Sequence, residues 1–140
     1  MSYHIALETE PTEEDLNLLA KGLQSYTEAI AGIEERRSLC FFLRDEQGAL
    51  LGGVEGSFGN YGWLWVGSLW VSEQLRGKNL GIQLLQAIED EARNQACTHV
   101  YLNSFSFQAV SFYERHGYTI YGQLEDFPPG HTMSSLKKAL

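Results

Sequence analysis

Apolar and polar residues follow two spacings along the chain, and the spacing predicts which segments form strands and which form helices. Alternating or unbroken apolar runs predict six or seven strands, at residues 3–7, 39–43, 50–58, 63–71, 100–102, 118–124 and 133–140. Apolar residues three and four positions apart predict helices that begin after Pro11, Asn79 and Ser106. We expect Gly22 and Gly32 to break the first of these into two short helices, because glycine destabilises a helix interior.

The order of these elements predicts one folded domain that spans residues 1–140. Turn sequences at residues 45–48 and 59–62 join three consecutive strands into an antiparallel meander, and helices alternate with strands in the second half of the chain. A length of 140 residues is also typical of one domain. We therefore predict a single α/β domain with a mixed, mostly antiparallel sheet of six to seven strands and flanking helices.

The charge and the cysteine content exclude several classes of protein. Ten basic and eighteen acidic residues give a net charge of −8, which disfavours a nucleic-acid surface but allows a small anionic ligand held by backbone amides. No apolar run approaches the roughly 18 residues of a membrane helix, and we expect a cytoplasmic protein that binds no membrane. Cys40 and Cys97 lack metal-ligand spacing, so we expect two buried free thiols and no metal site.

The loop between the strand at 63–71 and the next helix carries the first chemical signal. A helix start presents unpaired N–H groups that suit a phosphate, and Gly77 and Gly81 allow a ligand close to the backbone. Arg76 and Lys78 add positive charge. The plain alternative is an ordinary turn with a solvated basic pair. The sequence excludes a P-loop and a dinucleotide-binding fingerprint, because neither glycine pattern occurs here.

A second signal lies in the predicted helix near residue 110. Ser106 is a plausible N-cap for this helix, and Gly117 is placed to end it. Tyr113 lies on the same face as Ala109. Taken alone, Tyr113 is more often a core aromatic residue than a catalytic one.

Together, the two stretches resemble the GNAT family of acyl-CoA-dependent N-acetyltransferases. The family's loop motif, [RQ]-x-x-G-x-[GA], matches residues 76–81, and its later motif, N-x-x-A-x-x-[LF]-Y-x-x-x-G-[FY], matches residues 106–118. Asn79 replaces the central glycine of the loop, and it is compatible with the motif if that position adopts left-handed geometry. Ser106 replaces the asparagine that begins the second motif.

The resemblance implies acetyl-CoA as the acyl donor and a sheet that is splayed between its fourth and fifth strands. It places the pantetheine arm on backbone groups of Leu69, Trp70 and Val71 and beside Ser106. It places the pyrophosphate on the amides of the loop, which consists of Arg76, Gly77, Lys78, Asn79, Leu80 and Gly81. It also makes Tyr113 the proton donor to the leaving thiolate. The implied reaction is direct attack by a primary amine in a ternary complex.

The sequence leaves the general base and the acceptor open. Glu55 lies on a central strand, and Glu125, Asp126 and His131 flank the Pro-Pro loop; the alternative is that all four are ordinary surface residues. Acidic residues near the expected acceptor mouth favour a cationic amine. A homodimer is an open alternative for the oligomeric state. The rival function is a catalytically silent acyl-CoA-binding module that acts as a sensor or scaffold.

Overall fold

The first compact unit of the chain contains one helix and no strand. The computed structural model describes residues 1–140 and divides into two units, Met1–Glu34 and Glu35–Leu140. Helix α1 (Glu13–Ala31) begins where Thr12 Oγ1 accepts a hydrogen bond from the Asp15 N–H at 3.1 Å, and ends at Gly32 with φ of 80°. The predicted break at Gly22 is wrong, because one glycine costs only about 1 kcal/mol and removes no backbone donor. The predicted strand at residues 3–7 is also wrong, because no segment pairs with it.

The second unit is built on a mixed six-stranded sheet in the order β1-β2-β3-β4-β6-β5. Its strands are β1 (Arg37–Arg44), β2 (Leu50–Phe58), β3 (Trp63–Val71), β4 (His99–Phe105), β5 (Thr119–Glu125) and β6 (Thr132–Ala139). Every neighbouring pair is antiparallel except β3 and β4, which are parallel. The prediction of a mixed, mostly antiparallel sheet in an α/β fold is confirmed. The boundary of a single domain over residues 1–140 stays a prediction.

Two helices complete the second unit. Helix α2 (Leu80–Asn94) packs on β1, β2 and β3. Of the apolar residues whose spacing predicted it, Leu84, Leu85, Ile88 and Ala92 are buried and Leu80 is half-buried. Helix α3 (Val110–Arg115) is short and is followed by Gly117 with φ of 95°. The predicted N-cap at Ser106 is wrong: the helix is preceded by Ala109, and the Ser106 hydroxyl instead accepts a hydrogen bond from the Thr132 N–H at 3.1 Å.

One hydrophobic core lies between these two helices and the sheet. Its fully buried side chains include Leu64, Leu85, Ile88, Leu102 and Leu136. Both cysteines are free thiols, and Cys97 is buried as predicted. The prediction for Cys40 is wrong, because it lies on the exposed face of β1, which is an edge strand. None of the helices combines the length and the apolar character that crossing a membrane requires.

Candidate active site

The two parallel strands at the centre of the sheet diverge and open a cleft. β3 and β4 pair only where Trp63–Trp65 lies beside His99–Tyr101, and their later residues have no partner across the gap. Each strand remains anchored on its other side, because β2 pairs with β3 as far as Val71 and β6 pairs with β4 as far as Phe105. The predicted splay between these strands is confirmed. It leaves backbone groups of residues 66–71 facing the cleft without a neighbouring strand.

The cleft is a cavity of about 710 Å³ bounded by both diverging strands and by α3. β3 contributes Leu69, Trp70 and Val71, the three residues for which the family resemblance implies backbone contacts. β4 contributes Asn103 and Ser104 on the opposite side. The volume is that of a binding cavity for a small molecule, which typically measures 300–1,000 Å³.

A β-bulge in β3 places an exposed carboxylate against one residue of the cavity wall. Glu55 pairs with Ser68 whereas Gly56 pairs with Val66, so Gly67 is an extra residue in β3. Gly67 lines the cavity, and the Glu55 carboxylate occupies the space that a Cβ on Gly67 would need. The bulge therefore places Glu55, a predicted candidate for the general base, directly against a residue of the cavity wall.

The loop before α2 has the backbone geometry that a phosphate-binding turn requires. Gly77 has φ of 80° and Asn79 has φ of 60°, which is left-handed. Asn79 directly precedes α2, and its side chain caps no N–H group of the helix start. These amides are therefore available to an anion, and the macrodipole of α2 adds partial positive charge there.

A second cavity connects this loop to α3. It measures about 540 Å³ and is lined by Gly77 and Asn79 from the loop, by Leu80 and Gly81 from the first turn of α2, and by Arg115 and His116 at the end of α3. Leu69, Trp70, Val71, Arg76, Ala109 and Tyr113 line both cavities. Together, the two cavities form one path from the bulge in β3 to the loop before α2.

The left-handed geometry of Asn79 predicts a graded response to substitution. We expect Asn79→Gly to bind acetyl-CoA as tightly as the parent protein or more tightly, because glycine adopts this backbone conformation freely. We expect Asn79→Val to bind about fivefold to thirtyfold more weakly, because valine would let the free loop leave the left-handed conformation. Binding would then have to supply the cost of restoring it, which is about 1–2 kcal/mol. Calorimetric titration of both folded variants tests this. Weaker binding by Asn79→Gly would show that the asparagine side chain itself contacts the ligand.

Tyr113 is the buried ionisable group at the junction of the two cavities. Its side chain is only 8% exposed, and its ring packs edge-on against Phe112 and Tyr118. Burial raises the pKa of the Tyr113 phenol to about 12, because the phenolate loses solvation. The phenol therefore keeps its proton throughout the physiological pH range.

This raised pKa predicts the alkaline side of the pH–rate profile. If the protonated phenol is the active form, turnover should not fall between about pH 8 and pH 10, whereas a phenol with an ordinary pKa of about 10 would be half ionised at the upper limit. The measurement is turnover at saturating substrates, with enzyme returned to the lower pH as a control for inactivation. A reversible decline centred near pH 10 would contradict the assignment.

The remaining predicted site residues lie outside both cavities. Lys78 is exposed. Ser106 is exposed and joins the end of β4 to the start of β6 through hydrogen bonds to Thr132. Glu125 and Asp126 are exposed as well, and Asp126 accepts a hydrogen bond from the Gly130 N–H at 3.3 Å. The roles assigned to these residues stay predictions.

Two further predicted residues, His131 and Arg76, interact with residues that line the cavities. The His131 ring packs edge-on against Phe107, with ring centroids 4.9 Å apart, and Phe107 lines the larger cavity. Arg76 lines both cavities, but its Nε donates a hydrogen bond to the Val71 carbonyl at 3.2 Å. Arg76 therefore braces the end of β3, one of the two strands that form the cleft.

Sequence reasoning missed several cavity residues. Ser104 is buried and lines the larger cavity, where its hydroxyl accepts a hydrogen bond from the Ala109 N–H at 3.3 Å. Ser104 continues the alternation of Val100 and Leu102, whose side chains are buried. A polar residue at the next buried position of this strand could have indicated the site. Arg115 and His116 lie at the C-terminal end of α3, and only the fold shows that they line the second cavity together with Gly77 and Asn79. No group of three or more His, Cys, Asp or Glu side chains is arranged to hold a metal ion.

Comparison with known proteins identifies the family. The model of the acetyltransferase (GNAT) family matches residues 4–118. An acetyltransferase of Agrobacterium fabrum is 33% identical over 116 residues, which are 83% of this chain and 84% of that protein. The blasticidin-S acetyltransferase of Streptomyces morookaense is 38% identical over 96 residues, which are 68% of this chain and 70% of that protein.

The fold agrees with the sequence comparison. The crystal structure of an acetyltransferase from Bacillus cereus superposes with a TM-score of 0.90 at 33% identity, covering 99% of this chain and 98% of that one. The family match extends over the splayed strands, the loop before α2 and the helix that carries Tyr113. The chain is therefore an acyltransferase and belongs to the GNAT family.

Proposed function

We propose that this protein transfers an acetyl group from acetyl-CoA to a primary amine by direct attack in a ternary complex. The observation that carries the proposal is the position of Tyr113, a buried and protonated phenol at the junction of the two cavities. A thiolate leaves more readily beside a proton donor, and a positioned donor of this kind accelerates a reaction by about 10²–10⁴. The junction is therefore the place where the thioester would break.

The path formed by the two cavities favours one orientation of bound acetyl-CoA. The amides of the loop before α2 suit the pyrophosphate, since they are uncapped and lie at a helix start. Arg115 and His116 face the same cavity and would add donors near the phosphates. The diverging backbone of β3 would then hydrogen-bond the pantetheine arm, which directs the thioester toward Tyr113 and the bulge at Gly67.

Acetyl transfer to a protonated amine removes two protons from the nitrogen and supplies one to the sulfur. The ammonium form of the acceptor loses its first proton to the general base, and the neutral nitrogen then forms a bond to the carbonyl carbon of the thioester. The carbon–sulfur bond breaks as the tetrahedral intermediate collapses, the sulfur is released as a thiol that has received the Tyr113 proton, and the nitrogen loses its second proton. One of the two protons replaces the one that Tyr113 gave up, and the other is released to solvent. A backbone N–H of β3 near Val71 would stabilise the oxyanion of the tetrahedral intermediate. No cysteine is needed as a nucleophile, and burial raises the pKa of the Cys97 thiol.

Among the candidates for the general base, we favour Glu55 because of its position. Its carboxylate lies against Gly67 in the wall of the larger cavity. Glu55 is exposed and itself lines neither cavity, as is also true of Glu125 and Asp126. It differs in that its carboxylate touches β3, the strand that would bind the donor, whereas His131 touches Phe107 beyond the end of β4. A carboxylate beside the reacting centre would accept the amine proton and would also attract a cationic acceptor.

The acceptor proposed is a cationic small molecule with a primary amine. The net charge of −8 favours the approach of a cation over that of an anion. The similarity to a relative named for blasticidin-S supports the inclusion of that compound among the acceptors tested.

The test is a screen of amines with acetyl-CoA in which free thiol is measured. The panel should contain blasticidin-S, a polyamine, an aminoglycoside, a lysine peptide and a peptide with a free N-terminus. We expect thiol release well above hydrolysis with at least one amine, and a matching amount of acetylated product. Tight binding of acetyl-CoA with no release on any amine would support the rival function, a silent acyl-CoA-binding module.

A further inference from the structure

An ionic cluster built on a buried carboxylate lies outside both cavities, where α2, β6 and the turn after α3 meet. Glu89 on α2 is 2% exposed. Its Oε2 accepts a hydrogen bond from the Tyr118 hydroxyl at 2.6 Å, and Lys138 Nζ donates to Oε1 and Oε2 at 3.1 and 3.2 Å. The cluster therefore joins α2, β6 and the residue just before β5.

Filling part of a core with charged groups costs more free energy than filling it with apolar side chains. Removing the Glu89 carboxylate from water costs several kcal/mol, and the half-buried Lys138 loses part of its hydration as well. Apolar side chains of similar size often pack as well or better. What an ionic cluster adds is direction, because the short hydrogen bond from Tyr118 to Glu89 holds the phenol ring of Tyr118 in one place.

Tyr118 contacts Tyr113 through both its ring and its backbone. The two rings meet edge-to-face with centroids 5.5 Å apart, and the Tyr118 N–H donates to the Tyr113 carbonyl at 3.0 Å. Lys138 also covers Gly117 in the connecting turn, since the Cδ and Cε atoms of the lysine lie 3.5 and 3.4 Å from the Cβ position of that glycine. The cluster therefore fixes the segment that carries Tyr113.

Helix α3 needs this external support. It has six residues, and an isolated helix of that length is not stable in water. Tyr113 must nevertheless be held steady, because a displacement of about 1 Å in a catalytic group can lower the rate about 10²-fold. Glu89 lies on α2, the helix that begins at the loop 76–79, so the cluster ties Tyr113 to the element that carries the phosphate end of the site.

We propose that Glu89, Tyr118 and Lys138 are positioning residues that hold the Tyr113 hydroxyl in line with the leaving sulfur. The proposal rests on the proposed function, in which Tyr113 is the proton donor. It gives the cluster a role in turnover rather than in the binding of acetyl-CoA, because the loop 76–81 and β3 do not include its members.

The test is a double-mutant cycle of Tyr118→Phe and Tyr113→Phe in the full chain. Tyr118→Phe keeps the ring contact with Tyr113 and removes only the hydroxyl that binds Glu89. We expect it to lower turnover about tenfold while the KM for acetyl-CoA stays within about twofold. In the Tyr113→Phe background we expect no further loss, because no hydroxyl remains to be positioned.

Matched variants separate positioning from stability. Tyr121→Phe is the control, because Tyr121 is exposed on β5 beside Lys137 and touches no member of the cluster; we expect wild-type turnover from it. Glu89→Gln keeps an acceptor for Tyr118 and should lose less turnover than Glu89→Ala. Circular dichroism and thermal unfolding establish that each variant is folded, and Lys138→Met takes the place of Tyr118→Phe in the cycle if that variant does not fold.

The outcomes distinguish this proposal from the proposed function. Equal losses from Tyr118→Phe in the two backgrounds, or unchanged turnover in the parent background, would overturn the positioning role and leave Tyr113 as the donor. Unchanged turnover in Tyr113→Phe would overturn the donor role itself, and any loss from Tyr118→Phe would then be structural.

Discussion

Replacing Tyr113 by phenylalanine is expected to lower turnover by about 10²–10⁴. The ring would keep its contacts with Phe112 and Tyr118, so the fold and the affinity for acetyl-CoA should change little. Only the proton donor is lost, and the CoA thiolate must then leave without receiving a proton from Tyr113. Single-turnover rates and calorimetric titration measure the two quantities separately, and Tyr121→Phe is again the control.

The acyl donor provides a second readout for the same variant. A donor whose thiol has a lower pKa than the CoA thiol needs less protonation as it leaves, so the defect of Tyr113→Phe should shrink with that donor. A variant that merely misplaces the thioester would lose the same factor with both donors. Near-normal turnover by Tyr113→Phe while chemistry limits the rate would make Tyr113 a core aromatic residue.

Replacing Glu55 by glutamine is expected to lower kcat/KM for the amine by about 10²–10⁴ at neutral pH. Glutamine fits the same space beside Gly67 but cannot accept the amine proton. The variant must then use the fraction of amine that is already neutral in solution. This fraction rises with pH and levels off once the pH exceeds the pKa of the amine. The defect should therefore shrink as the pH is raised.

The other candidates for the base are the matched controls for Glu55. Glu125→Gln and Asp126→Asn remove carboxylates that line neither cavity, and we expect each to keep turnover close to that of the parent protein. His131→Gln tests the group that contacts Phe107. If one of these variants shows the pH-dependent loss and Glu55→Gln does not, the base lies at the end of β5 or on the β5–β6 loop.

Local patterns in the sequence predicted most of the fold and one half of the site. The strands 50–58 and 63–71 have the predicted limits, because a run of apolar residues between two turns has few alternative conformations. The loop at 76–81 could be predicted as well, because glycine and asparagine at those positions allow left-handed geometry, which Gly77 and Asn79 adopt. In both cases the signal lies within a few residues of the chain.

The other features of the site depend on contacts between residues that are far apart in the chain. Such contacts cannot be read from a single sequence. Glu89 has the sequence pattern of a solvated helix residue, and only the fold brings Tyr118 and Lys138 to its carboxylate. The bulge that places Glu55 beside Gly67 arises from the register of two strands, and the amino-acid composition of those strands does not predict it. Cys40 was predicted to be buried because the position of its strand at the sheet edge was unknown.

The most direct test of the account is a crystal structure of the protein with bound CoA. We predict that the pyrophosphate lies on the amides of the loop 76–81, that the pantetheine arm runs between β3 and β4, and that the sulfur lies within hydrogen-bonding distance of the Tyr113 hydroxyl. CoA bound outside this cleft, or within it with the sulfur out of reach of Tyr113, would contradict the account.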